Sequence, residues 1–155
     1  MTNQHLKYDA EVRQALDDGR PVVALESTIV THGMPWPDNI ETARAVEADI
    51  RQAGATPATL AVMDGVIRIG LDEDSLTALA KSSDVMKLSR ADLPFAVAQG
   101  RTGSTTVAAT MIAAKLAGIS VFATGGIGGV HQGAEISFDI SADLEELSRT
   151  SVIVV

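Results

Sequence analysis

Short apolar blocks in this chain alternate with longer stretches in which apolar positions recur at helical spacing, a pattern that predicts strands and helices taking turns. Residues 3–18 place Leu6, Val12 and Leu16 loosely on one helical face and end at Asp18-Gly19, which predicts a peripheral helix within an N-terminal extension of residues 1–20. Pro21 then introduces VVALEST (22–28), a run suited to a buried strand, followed by a loop, THGMPWP (31–37), stiffened by Pro35 and Pro37. Asp38 with Glu41 resembles a capping box, and Ile40, Ala43, Val46 and Ile50 form one apolar stripe running up to Gly54. This unit reads as strand, loop, helix.

Residues 58–63 and 66–69 flank Asp64-Gly65, a strong hairpin signal. A short helix from Asp72 carries Leu76 and Leu79, Val85 to Leu88 is a brief strand, and Asp92-Leu93-Pro94-Phe95 begins a turn or short helix. After a loop at Gly100 to Gly103, residues 104–117 are apolar at most positions and predict a buried helix closed by Gly118. Ile119 to Ala123 is a strand. It opens into a loop with glycine at 125, 126, 128 and 129, and with His131, Glu135, Asp139 and Asp143 close behind. Ser141 is the expected N-cap of a helix, ADLEELSR, whose acidic first turn suits its dipole. Val152 to Val155 is all β-branched and reads as a strand buried on both faces, one that a further loop and helix usually cover. The expected fold is therefore α/β, a layered sheet with helices on both faces. Residues 21–155 read as part of a single larger domain that is incomplete at its C-terminus.

Composition narrows the function. With 155 residues, 46% hydrophobic and 21% charged, the chain suits one soluble domain with a real core. Only 3% of residues are aromatic and the net charge is -8, which argues against a base-stacking or phosphate-backbone surface for nucleic acid. There is no cysteine, so no disulfide framework or thiolate chemistry. The start, MTNQHLKYDAEVRQ, lacks an apolar signal core and no run is long enough to span a bilayer, so a cytoplasmic setting without membrane contact is expected.

Several groups could do chemistry. Glu26 sits inside an apolar strand, where burial raises a carboxyl toward the range of a general acid; the plainer alternative is a Glu paired with a base or facing outward at a strand end. Lys87 interrupts VMKLS with Arg90 nearby, and fits a phosphate ligand, a Schiff-base amine or a snorkelling edge lysine. Arg101 to Thr106 offers hydroxyls and amides at a helix start, a phosphate cradle or simply a capped helix. GGIGG lacks the dinucleotide-binding spacing. Asp139 or Asp143 could hold a hydrated divalent cation, Asp143 equally well serving the helix dipole. His32 and His131 are loop histidines with weaker claims.

Taken together, VVALESTIVTHGMPWP, KLSRADLPF, GRTGSTTVAATM and VFATGGIGGVHQGAEISFDISADLEEL resemble the pseudouridine-5'-phosphate glycosidases, the family that includes the indigoidine synthase A proteins. The resemblance implies reversible cleavage of a C–C glycosidic bond, giving uracil and ribose 5-phosphate, through a lysine Schiff base. It implies Glu26 as proton donor, Lys87, Val107, Ser141, Ala142 and Asp143 as substrate-binding residues, Lys87 at the phosphate, and Asp139 as the ligand of one Mn²⁺ per subunit. It also implies a homotrimer. The family's nucleophilic lysine lies in a CAGAKS-like segment after the VIVV-type strand, past the last residue here. The chain is thus expected to be an N-terminal half that is inactive alone and is completed by a continuation or a complementary chain; the alternative is a non-catalytic phosphosugar-binding module.

Overall fold

The computed structural model describes residues 5–155, which form one eight-stranded sheet with helices on both faces. Six strands lie in the order β1 (Leu6–Tyr8), β4 (Val66–Ile69), β3 (Thr56–Met63), β2 (Val22–Leu25), β7 (Val121–Ala123) and β8 (Ile153–Val154). The other two, β5 (Met86–Leu88) and β6 (Gly103–Thr105), branch from β3. On one face α1 (Ala10–Asp17), α4 (Asp92–Ala98) and α5 (Val107–Ala117) cover the main core, which includes Val12, Leu60, Ile69, Leu93, Met111 and Phe122. On the other, α2 (Asp38–Gln52) and α3 (Glu73–Lys81) enclose Val30, Ile40, Ala61, Leu76 and Leu79. No helix among the described residues is long and apolar enough to cross a membrane.

The branch at β3 decides where a site can form. Its first half pairs with β2 in parallel, Thr59 opposite Leu25, while its second half pairs with β6 in antiparallel fashion, Ala61 opposite Ser104. The carboxyl ends of β2 and β6 therefore meet head to head beside Leu60, and the sheet forks there. Buried hydroxyls fill the fork: Ser27 and Thr105 both donate to the Leu60 carbonyl, at 2.6 and 2.8 Å, and the Thr105 amide donates to Ser27 Oγ at 2.9 Å. The Leu60 carbonyl, the Thr105 amide and both hydroxyls are satisfied in this way where the ladder is interrupted.

Local chemistry explains most elements. Asp64 and Gly65 both take positive φ (50° and 75°), the primed geometry that joins β3 to β4. α5 is apolar nearly all round because it is buried, and it ends at Gly118 with φ 80°.

Other expectations need correction. The N-terminal helix begins only at Ala10; Leu6 to Tyr8 pair in parallel with Ile67 to Ile69, and Asn3 and Gln4 lie outside the described residues. Val12 and Ala15 are in the main core, so this helix is no periphery. The Asp38–Glu41 capping box does not form, since Pro37 occupies the cap position and contributes no side-chain hydrogen bond. The α2 stripe is buried at Ile40 alone, with Val46 exposed. The helix expected from Ser104 starts at Val107, because 103–105 pair with β3 and β5 and Thr106 is the cap. The next strand starts at Val121, not Ile119. The acidic loop contains a short helix, α6 (Ala134–Ser137), and the last helix, α7 (Asp143–Arg149), is entered through Ala142, one residue later than a Ser141 cap would give. β8 is the edge of this sheet: Val152 and Val154 pack on the core, whereas Ile153 and Val155 are 64% and 75% exposed.

Candidate active site

At the fork a cavity of about 280 Å³ is lined by Glu26 and Thr28 from the end of β2, Lys87 from β5, and Thr106 and Val107 at the start of α5. Gly126, Ile127, Gly129 and His131 of the glycine-rich loop, with Ser141 and Asp143, complete its wall. Five of the residues singled out in the sequence, Glu26, Lys87, Val107, Ser141 and Asp143, thus share one cavity. The location is the usual one for an open α/β sheet, outside the carboxyl ends of strands at a switch in topology.

Glu26 is the best-defined group. The Thr124 hydroxyl donates to its Oε1 at 2.6 Å, and the Gly126 amide donates to Thr124 Oγ at 3.4 Å, so the glycine loop reaches the carboxyl through one threonine. Burial, the largest influence, pushes the Glu26 carboxyl above the usual range; the Thr124 bond opposes it, the Asp143 charge adds to it, and the Lys87 charge opposes it. A carboxyl that burial makes slower to lose its proton suits the role of a proton donor. Behind Glu26 lies a second, largely apolar cavity of about 320 Å³ between β2, α2 and β7, reaching Leu25, Val30, Ala43 and Ala123. Glu26 stands in the wall between the two.

Asp143 is buried, and its Oδ1 accepts the Ala108 N–H at 3.0 Å, so it caps α5 from the start of α7. Its own amide donates to Ser141 Oγ at 3.3 Å. The Ser141 amide in turn donates to the Gly129 carbonyl at 3.1 Å, and a Cβ on Gly129 would lie 2.5 Å from Ser141 Cβ. Glycine at 129, at φ 50°, is what lets the loop and this turn close together. At Gly125 and Gly126 a Cβ would meet open space.

The expected phosphate cradle over Arg101 to Thr106 is not assembled as such. Ser104 and Thr105 are buried inside β6, Thr102 accepts the Asp64 amide at 3.2 Å, and Arg101 pairs with Asp84 at 3.8 Å. Only Thr106 reaches the cavity, and the α5 amide at Ala108 is taken by Asp143. Arg90 turns away from the cavity to the buried Glu146, which also receives the Thr150 hydroxyl. His32 lies outside the cavity lining, its Nδ1 2.6 Å from Thr31 Oγ1.

Asp139 and Ala142 are likewise absent from the lining. Asp139 is exposed at the rim, its Oδ2 3.1 Å from Nδ1 of His131, which does face the cavity. Among the described residues no group of three or more His, Cys, Asp or Glu could hold a metal ion. A single exposed carboxylate fits a hard cation that keeps most of its water shell, and does not fit a closed protein cage. The residues that sequence reasoning missed are hydroxyls, Thr28 and above all Thr124. The only signal for them was their position at strand ends.

The family profile described as indigoidine synthase A like protein matches residues 11–155. The chain is 66% identical over 155 residues to the pseudouridine-5'-phosphate glycosidase of Roseobacter denitrificans, covering 100% of this chain and 50% of that protein. It is 70% identical over 146 residues to the enzyme of the same name from Mesorhizobium japonicum, covering 94% and 48%. Among solved structures, the prealnumycin C-glycosynthase AlnA in complex with ribulose 5-phosphate superimposes with a TM-score of 0.88 at 41% identity, covering 99% of this chain and 49% of that one. An indigoidine synthase A-like protein from Thermotoga maritima gives a TM-score of 0.85 at 32% identity, covering 99% and 50%. The chain spans about half the length of the curated relatives it matches.

Proposed function

The chain belongs to the indigoidine synthase A-like family, and from that premise we propose that it supplies the acid and phosphosugar groups of a pseudouridine-5'-phosphate glycosidase. The reaction is the reversible conversion of pseudouridine 5'-phosphate and water to uracil and ribose 5-phosphate. The observation that carries the reading is the meeting of Glu26, Lys87, Val107, Ser141 and Asp143 around one cavity at the sheet fork.

A carbon leaving group departs poorly, so direct displacement at the sugar is unattractive. An amine that opens the ribose ring and forms an imine provides an electron sink for breaking the C–C bond. On the family resemblance that amine belongs to a lysine in a segment beyond these 155 residues. The roles left to the chain are those of binding and proton transfer. Glu26 protonates the ring oxygen as the ring opens, regains a proton from the nitrogen of the adding amine, and delivers it to the carbon of the departing base as the imine forms. Lys87 places a cation for the 5'-phosphate, and Val107 with the Ser141–Ala142–Asp143 turn orients the sugar. Asp139, assisted by His131 at the rim, would hold a hydrated Mn²⁺, which supplies positive charge toward the substrate's oxygens when bound. The same resemblance brings a homotrimer, lyase-type chemistry and a cytoplasmic setting into the proposal.

The test is complementation. The chain alone, incubated with uracil, ribose 5-phosphate and Mn²⁺, is expected to give no pseudouridine 5'-phosphate. Fused to the C-terminal half of the Roseobacter denitrificans relative, it is expected to give product, and Glu26→Gln is expected to abolish it. Product from the 155 residues alone would overturn the division of labour. Borohydride trapping with ribose 5-phosphate, followed by peptide mapping, decides whether Lys87 forms an imine itself; label on Lys87 would move the nucleophile into this chain.

A further inference from the structure

The N-terminus of α5 is where the sequence pointed to a bound phosphate, yet its amide at Ala108 is occupied by a carboxylate of the chain itself, that of Asp143. The arrangement has three features. Asp143 is 6% exposed and is fixed at both ends, its carboxylate on the Ala108 N–H at 3.0 Å and its amide on Ser141 Oγ at 3.3 Å. It stands at a helix N-terminus, which stabilises an anion. It lines the same cavity as Glu26. An isolated carboxylate fixed in this way next to a second carboxyl is a common means of separating an acid from a base in one site.

We propose that Asp143 is a positioning residue for the proton donor: anchored on α5, its negative charge faces Glu26 across the cavity and keeps the proton on Glu26. The Asp143 charge acts in that direction on the Glu26 carboxyl, second to burial among the influences that raise it. The other charged or titratable groups facing the cavity are Lys87, which acts in the opposite direction, and His131, whose Nδ1 is directed to Asp139. Thr124 orients the carboxyl. Asp143 thus serves the reaction through Glu26, in addition to any contact it makes with the sugar. The consequence is specific: binding a cation near Asp143, or neutralising it, releases the proton from Glu26 at lower pH.

This inference rests on the reading of Glu26 as proton donor, and its test needs no turnover. The side-chain carboxyl carbon of Glu26 is followed by NMR through a pH titration of the 155-residue chain, its signal assigned by comparison with Glu26→Gln. Asp143→Asn keeps an oxygen to accept the Ala108 N–H and removes the charge. It is expected to shift the Glu26 midpoint downward while the amide signals of α5 stay in place; loss of a purely capping role would leave that midpoint unmoved. Lys87→Met is expected to shift it upward. An unchanged or raised Glu26 midpoint in a folded Asp143→Asn chain overturns the proposal. If that variant does not fold, the unmodified chain decides. The Asp143 carboxyl carbon is expected to show an inflection at the Glu26 midpoint that vanishes in Glu26→Gln, and its absence overturns the proposal equally. Failure here leaves the complementation result untouched, so the two readings fall separately.

Discussion

Ser27 and Thr105 donate their hydroxyls to a single carbonyl, that of Leu60, from the two arms of the forked sheet. The Thr105 amide donates to Ser27 Oγ in return, so Ser27 is both donor and acceptor in a place with no exposure to water. Ser27→Ala removes one donor and strands a buried amide. The expected loss is about 1–3 kcal/mol of stability, read from the shift in urea midpoint, since an unsatisfied buried group costs its full desolvation. A change within a few tenths of a kcal/mol would mean the fork is held by packing alone.

The raised Glu26 carboxyl sets a pH dependence with a definite sign. A carboxyl whose folded value lies above its unfolded one binds more protons in the folded state, so it lowers stability as pH rises from the usual carboxylate range through the raised folded value. Below that window the effect is absent; above it the penalty is complete. Glu26→Gln removes it. Urea midpoints of the two chains are expected to differ little in acid, and the difference should move in favour of the Gln variant as pH is raised through the window. A difference moving the other way would contradict burial as the dominant influence.

Gly129 is expected to be intolerant of a methyl group, because the added Cβ would meet Ser141 at 2.5 Å in a backbone at φ 50°. Gly129→Ala should cost about 1–3 kcal/mol. It should also move the amide signals of Ser141 and Asp143, two walls of the cavity, in an NMR spectrum of the chain. Gly126→Ala, with open space at its Cβ, is the internal comparison and should move them little.

Arg90 covers the buried Glu146, which is 1% exposed and also receives Thr150. Arg90→Met leaves that carboxylate without its cation. A loss of about 3 kcal/mol is expected, toward the low end for a broken buried pair because Arg90 itself is half-exposed. Adding Glu146→Leu should recover part of it in thermal denaturation; a double variant weaker than the single would show that the remaining bond from Thr150 stabilises Glu146 more than its unpaired charge costs.

Asp139 gives a metal prediction. Mn²⁺ added to the chain should lose part of its free-ion paramagnetic resonance signal, and Asp139→Asn should restore it, with Asp143→Asn having little effect. The reverse ranking would move the cation to the inner carboxylate.

Much of this architecture was readable from local chemistry. The Asp64-Gly65 turn needs positive φ at both positions, and few residue pairs offer that, so the hairpin was legible. Gly118 ends α5 for the same reason. Glu26 and Lys87 were legible because charges interrupt apolar strands. What escaped was non-local. Leu6 to Tyr8 become a strand only because β4, some sixty positions later, offers an edge. Gly103 to Thr105 are too short to announce themselves and are strand only between β3 and β5. The capping box failed because Pro37 takes the cap position, leaving Asp38 inside the helix. Thr124 could not be told from any other strand-end threonine, since its importance comes from Glu26, 98 positions away. Of the two readings of 101–106, the structure shows the capped helix: Thr106 caps α5, Thr105 bonds to the Leu60 carbonyl and Thr102 accepts the Asp64 amide.

The fork at Leu60 acts as a fixed gauge. The distance from Glu26 to the start of α5 is set by the count of residues along β3, which pairs with one arm up to Thr59 and with the other from Ala61. A one-residue change in that count would turn every later side chain of β3 to the opposite face, so the gauge is costly to recalibrate. The opposite wall, 125–141, is a loop with one short helix and carries exposed Ile136 and Phe138. Substitution there can reshape what the cavity admits while Glu26 and the start of α5, both carried by the forked sheet, keep their spacing.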